Sequence, residues 1–186
     1  MLLSSKNKLR DKTYSTEGTK PVKGLRRLLR DAVALSLSTL LTVQPVLAQT
    51  SNIIATGNTT VYNAANGLTV VDVATPNGAG VSQNNYTDFN VGTGGAILNN
   101  STELLAASQL GGLLAGNGNL ASTGSATVIL NEVTSANPSL LAGALEVHGQ
   151  SAAVIVANPN GITCDGCGFI NTPRVTLSTG VVQLAP

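Results

Sequence analysis

Ala157-Asn158-Pro159-Asn160-Gly161-Ile162-Thr163-Cys164-Asp165-Gly166-Cys167-Gly168-Phe169-Ile170-Asn171-Thr172 reads as a rigid turn, a short run and a second turn. Pro159 presets its own φ, the Asn158 side chain can bond a nearby backbone amide, and Gly161 permits positive φ. Apolar runs flank the stretch, Ala153 to Val156 before it and Arg174 to Leu177 after it. A chain that alternates such runs and turns at short, regular intervals predicts an all-β fold.

Outward from there, further strand signals fall at Leu68 to Val73, Ala126 to Leu130 and Leu145 to Val147, each bounded by Gly, Asn, Pro or Ser. Between Ala126 and Leu177 the starts recur at intervals near one coil of a parallel β-helix. In that architecture each coil buries an inward stripe of Val, Ile, Leu and Ala against its neighbours. Asparagine, often beside Gly or Pro, suits the corners of such coils because it tolerates left-handed backbone and stacks into amide ladders. A β-sandwich would show cleaner hydrophobic alternation over longer strands. The segment Thr102 to Leu110 carries helix formers at apolar spacing, but Gly111-Gly112 stops it after about two turns. It is expected to be a loop element or cap, with Leu104, Leu105 and Leu110 covering an end or flank of the core.

Charge divides the chain. Nine of the ten Lys and Arg residues lie at or before Arg30, and an uncharged stretch from Ala32 to Ala48 follows. This is the layout of a signal peptide over residues 1–48 with a long basic n-region, cleaved between Ala48 and Gln49. Its 17 residues, interrupted by Ser36, Ser38, Gln44 and Pro45, are short and polar for a bilayer span of about 20 apolar residues. No stable membrane span is therefore expected, and the leader implies the Sec translocon as a partner. Residues 49–186 then form one domain with a single basic residue, Arg174, against six acidic ones. That balance excludes nucleic acid, whose phosphates demand clustered Lys and Arg.

Collinear blocks carry a resemblance over most of residues 49–186. They run from Val71-Asp72-Val73-Ala74-Thr75-Pro76-Asn77 through Gly80 to Asn84, Phe89-Asn90-Val91, Ala96 to Ser101 and Asn131-Glu132-Val133-Thr134. They end in Ala157 to Thr172 and Arg174 to Gly180. In these the chain resembles the N-terminal two-partner secretion domain of filamentous haemagglutinin, haemolysin and contact-dependent inhibition exoproteins. The resemblance implies a right-handed parallel β-helix, here incomplete at its C-terminal end. It also implies a secretion-targeting role, with passage through the periplasm, recognition by a cognate outer-membrane β-barrel transporter, and folding outside a Gram-negative cell.

The family usually carries two Asn-Pro-Asn motifs. The second is intact as Asn158-Pro159-Asn160-Gly161-Ile162. The first falls at Asn117-Gly118-Asn119-Leu120, where Gly in place of Pro is expected to loosen the loop. The intact turn is read as mainly structural rather than as a direct contact surface.

Cys164 and Cys167 are the only cysteines. In an oxidising compartment they most simply form a local disulfide. A thioredoxin-type pair would open a helix in a βαβ unit, and two Cys with the distant, solitary His148 do not supply a four-ligand zinc site. His148 itself reads as a surface or strand-end residue. No cofactor, metal or catalytic residue is assigned, and the domain is not expected to be an enzyme: the acids are scattered and no nucleophile-elbow pattern occurs. The alternatives are a small stand-alone β-helical adhesin, or a polysaccharide-active β-helix enzyme, which would need clustered acids or a basic cleft.

Overall fold

Strand pairing in this chain is mostly parallel and mostly between segments one turn of chain apart, so the backbone winds rather than folds back. The chain divides into two units, residues 1–46 and 47–186, and the computed structural model describes residues 50–183. The expected leader and its Ala48/Gln49 cleavage point lie outside the described residues.

The first coil runs through β3 (Thr69–Asp72) and β4 (Val81–Asn90) to Val91. The second takes β5 (Ala96–Asn100), an insertion, β8 (Val128–Val133) and β9 (Ser139–Leu141). The third takes β10 (Ala144–Gly149), β11 (Ala153–Ala157) and β12 (Ile162–Cys164). A fourth begins with β13 (Gly168–Ile170) and β14 (Val175–Ser178). Three faces result: a ladder β4-β8-β11-β14, a ladder β13-β10-β5-β3, and a narrow third face pairing β12 with β9 and bridging Leu141 to Val91. Leu145 pairs with Phe169, Val154 with Val175 and Ser139 with Ile162, which gives steps of 24, 21 and 23 residues. Leu98 to Val147 is a step of 49 residues, because the second coil carries the insertion. The architecture is a parallel β-helix.

Its inward rows show why these residues stack. Ile129 and Val154 are in register on one face, and Val71, Leu98 and Val147 on another, all buried in one continuous core. Each fully buried Val, Leu or Ile side chain contributes about 1.5–3 kcal/mol relative to exposure. Two aromatics join the core in the first coil, where Tyr86 and Phe89 pack with ring centroids 4.8 Å apart. The buried Tyr86 hydroxyl donates to Asn131 Oδ1 at 2.9 Å.

The beginning of the helix is closed by antiparallel strands. β1 (Asn52–Thr56) pairs antiparallel with β4, with a bulge between Ile54 and Ala55, and β2 (Thr60–Asn63) pairs antiparallel with β3. Edges that would otherwise offer unpaired backbone to another chain are thereby covered. At the other end, β13 and β14 are the outermost strands of their sheets among the described residues.

The strands expected near Leu68–Val73, Ala126–Leu130, Leu145–Val147, Ala153–Val156 and Arg174–Leu177 are all present, shifted by a few residues. The segment from Thr102 to Leu110 is not helical. It becomes β6 (Leu105–Ser108), which pairs antiparallel with β7 (Gly112–Ala115) to form a hairpin. Leu104 (92% exposed) and Leu105 (57%) face outward rather than covering the core. Leu114 does the covering, in a second apolar cluster with Ala64, Val70 and Ile97, against which Leu110 packs. Helix propensity is worth only tenths of a kcal/mol per residue, less than the burial of Leu114 and the anchoring of the hairpin tip described below.

Candidate functional site

Both asparagine motifs sit at corners of the helix and are built alike. After β11, Asn158 is fully buried. Its Nδ2 donates to Asn137 O and Ser139 Oγ, both at 2.9 Å, in the preceding coil. Its Oδ1 accepts from the Asn160 backbone N–H at 2.9 Å, closing an Asx turn. Asn160 Nδ2 then reaches Ser135 O at 2.7 Å, and the Gly161 N–H donates to Asn158 O at 3.1 Å. Gly161 has φ 109°, the left-handed region open to glycine. Pro159 and Asn160 are exposed, whereas Ile162 is half-buried against the main core.

After β7, Asn117 repeats the arrangement one coil earlier. It is buried, and its Nδ2 donates to Val73 O at 2.8 Å and Asn99 O at 2.9 Å. Its Oδ1 accepts from the Asn119 N–H at 2.9 Å, and Asn119 Nδ2 reaches Val73 O at 3.1 Å. Gly118 through Leu120 form one 3-10 turn, and Leu120 is buried in the main core. With glycine at 118 the hydrogen bonds of the turn are all in place. The outer asparagines hold the turn, and the middle residue needs only a compatible φ.

That equivalence makes Gly118→Pro a stabilising change. Asn117 has φ −84° and ψ 115°, the extended region that proline requires of its predecessor. Gly118 opens the turn, and an added Cβ there would meet no heavy atom within 4 Å. Restricting the unfolded chain in this way adds about 0.4–1 kcal/mol, and a urea unfolding midpoint that fails to rise would refute the equivalence.

The same amide chemistry recurs within strands and at other corners, where sequence reading assigned no particular asparagine. Asn84 Nδ2 donates to Leu130 O at 3.2 Å and Asn131 Nδ2 to Ile155 O at 3.3 Å, each reaching the next coil. Asn100 Nδ2 donates to Gln150 O at 2.8 Å. Asn171, the only non-glycine at positive φ among the described residues, donates to Val147 O at 2.8 Å and Gly149 O at 3.0 Å. The available signal was the excess of asparagine over aspartate, since joining one coil to the next here takes a neutral side chain that both donates and accepts.

Cys164 and Cys167 are joined by a disulfide with Cα atoms 5.2 Å apart, at the corner between β12 and β13. His148 departs from expectation. It stands at the penultimate position of β10 but is only 2% exposed, and its Nε2 is buried with no hydrogen-bond partner. Burial pushes its imidazole below the ordinary histidine value, with Glu146 pulling the other way. The unfolded chain thus takes the proton first, so stability is complete above about pH 6.5 and declines as the pH falls below it. Asp72 lies two strands away in the same row, and its carboxyl is raised mainly by burial, so its contribution has the opposite sign. The His148→Gln variant isolates the histidine: its unfolding free energy should lose the decline between pH 7 and 5.5 seen in the parent, and an unchanged slope would remove His148 as the cause.

Among the described residues no group of three or more His, Cys, Asp or Glu could hold a metal ion, and no helix is long and apolar enough to cross a membrane. Glu146 and His148 share one face of β10, but the carboxylate is taken up by the hairpin tip.

Comparison with known proteins agrees with this geometry. The chain is 55% identical over 155 residues to the 16S rRNA endonuclease CdiA of Enterobacter cloacae subsp. cloacae, covering 83% of this chain and 5% of that protein. It is 54% identical over 119 residues to a hemolysin of Proteus mirabilis, covering 63% of this chain and 7% of that one. The chain thus spans only a small fraction of these relatives. The crystal structure of the filamentous hemagglutinin secretion domain superposes with a TM-score of 0.68 at 42% identity, over 72% of this chain and 44% of that chain. Residues 46–185 match the TPS secretion domain, and with a parallel β-helix of that shape the chain belongs to the family of two-partner secretion domains.

Proposed function

We propose that residues 49–186 are the export address of a larger exoprotein, recognised by a cognate outer-membrane β-barrel transporter of the two-partner type and folding outside the cell as they emerge. Residues 1–48 act as a leader to the Sec translocon, removed between Ala48 and Gln49. The observation that carries this reading is the direction in which the fold is built. The antiparallel β1 and β2 close the N-terminal end, and every later parallel strand stacks on one already synthesised. A chain leaving a pore N-terminus first can then build coil by coil without waiting for its C-terminal part. The relatives support a shared address as well. An rRNA endonuclease and a hemolysin carry this segment at 55% and 54% identity, so the segment does not follow the differing activities in their names. Its role is thus export rather than catalysis.

The test is expression of the full chain in a Gram-negative host with and without the cognate transporter. Transporter-dependent appearance in the medium, with Gln49 as the new first residue, is the expected result. Periplasmic retention and degradation in both strains would overturn the reading.

A further inference from the structure

The β6–β7 hairpin belongs to the second coil, yet the amides of its tip are held by the third. Glu146, on β10, is buried, and its carboxylate accepts three hydrogen bonds from the tip. These come from Ser108 Oγ at 2.7 Å and Leu110 N–H at 2.8 Å on Oε2, and from Gln109 N–H at 2.8 Å on Oε1. Ser108 Oγ in turn accepts from the Gly111 N–H at 2.8 Å. Two successive amides and a hydroxyl therefore converge on one carboxylate, with the next amide bonded to that hydroxyl, an anion-binding nest whose anion comes from elsewhere in the chain. Gly111 lets the tip lie flat, because a Cβ there would stand 2.6 Å from Ile97 Cδ1.

Register explains why this contact is conditional. Val70, Ile97, Glu146 and Ile170 stand side by side across four strands, one from each coil. The body of the hairpin, through Leu114, covers Val70 and Ile97 of the first two coils. At the tip, Leu110 packs on the same cluster and its carbonyl accepts from Asn66 Nδ2 at 2.8 Å, but the Gln109 and Leu110 amides and the Ser108 hydroxyl meet position 146, which does not exist on that face until β10 has paired with β5. The dependence is mutual. A carboxylate in an otherwise apolar row is costly to bury without donors, and among the described residues the tip's amides bond Glu146 and Ser108.

We propose that Glu146 is a latch coupling addition of the third coil to closure of the β6–β7 hairpin. While only the first two coils are built, Leu110 and Asn66 seat the hairpin loosely and the Gln109 and Leu110 amides stay open to water. When β10 is laid down, the carboxylate enters the nest, and the hairpin and the third coil become one cooperative unit. This concerns the order of assembly and stands whether or not a transporter delivers the chain.

The experiment is pulsed hydrogen exchange during refolding of the full chain, read at Gln109, Leu110 and Gly111 and at β5 and β10. In the parent, the tip amides should gain protection in the same phase as β10 and later than β5. In Glu146→Gln, β10 should be protected as in the parent while the tip amides exchange roughly ten to a hundred times faster, the loss expected for charge-assisted bonds. Ser108→Ala removes one of the three bonds and should give a smaller loss confined to the same amides, so it decides the matter if Glu146→Gln does not fold. Protection of the tip together with β5 ahead of β10, or unchanged tip protection in the variants, would overturn the latch.

Discussion

Asn158→Ala should lower the stability of the domain by about 2–4 kcal/mol and lower its export in the same proportion. The side chain is fully buried and makes three hydrogen bonds, two as donor to the second coil and one as acceptor from Asn160. Alanine leaves Asn137 O, Ser139 Oγ and the Asn160 N–H without those partners, and each unsatisfied buried group costs about 1–3 kcal/mol, less where water can enter beside an exposed residue. Asn137 and Asn160 are exposed, which places the sum below three full penalties. Asn158 has no surface to offer a transporter, whereas Pro159 and Asn160 do. Pro159→Ala therefore separates folding from contact, because it touches no hydrogen bond and costs only about 0.4–1 kcal/mol through the unfolded chain. Urea unfolding and export of both variants, measured side by side, give the answer. Export lost in Asn158→Ala at unchanged stability, or lost in Pro159→Ala, would overturn the structural role of the turn.

The fold was legible where inward rows are apolar and obscure where they are not. Ala153 to Val156 and Ala126 to Leu130 announce themselves because Val, Ile and Leu point inward every second residue. The longest strand, Val81–Asn90, drew no strand reading from its pattern. Its inward positions begin with Ser82 and Asn84, both fully buried, so its hydrophobic alternation is erased. Ser82 is satisfied by Ala74 O at 2.6 Å, and Asn84 by the Ala74 N–H at 2.8 Å and Thr59 Oγ1 at 2.9 Å, partners that only the closed coil supplies. The hairpin was obscured in another way. Leu104 to Gln109 favours a helix locally, and the override comes from Glu146, some 36 to 38 residues further along. Asn158 was picked out by its neighbours, Pro159 and Gly161. Asn117 was picked out as a degenerate copy, because glycine stands where the intact motif has proline; the hydrogen bonds of its turn come from the flanking asparagines.

Gly149→Ala is expected to be as damaging, at about 2–5 kcal/mol, although it deletes nothing. Gly149 ends β10 and turns the third coil over the second, with φ 87°. An L-residue held in the left-handed region costs about 1–2 kcal/mol, and the Cβ would stand 2.5 Å from Ser101 Cα and 2.8 Å from Ser101 N. Those are backbone atoms of a buried residue whose own side chain accepts from the Glu103 N–H at 3.2 Å, so they cannot rotate away. Relief by moving backbone in a packed core adds about 1–3 kcal/mol. The strain also falls where Asn100 Nδ2 reaches Gln150 O and Asn171 Nδ2 reaches Gly149 O, which ties the second, third and fourth coils together at one corner. Gly124→Ala is the internal control. It has φ 78° with nothing within 4 Å of the added Cβ, so it should cost only the conformational term of about 1–2 kcal/mol. Equal losses in the two variants by urea unfolding would mean that corner packing between coils contributes nothing, and that the β-helix is held by its inward rows alone.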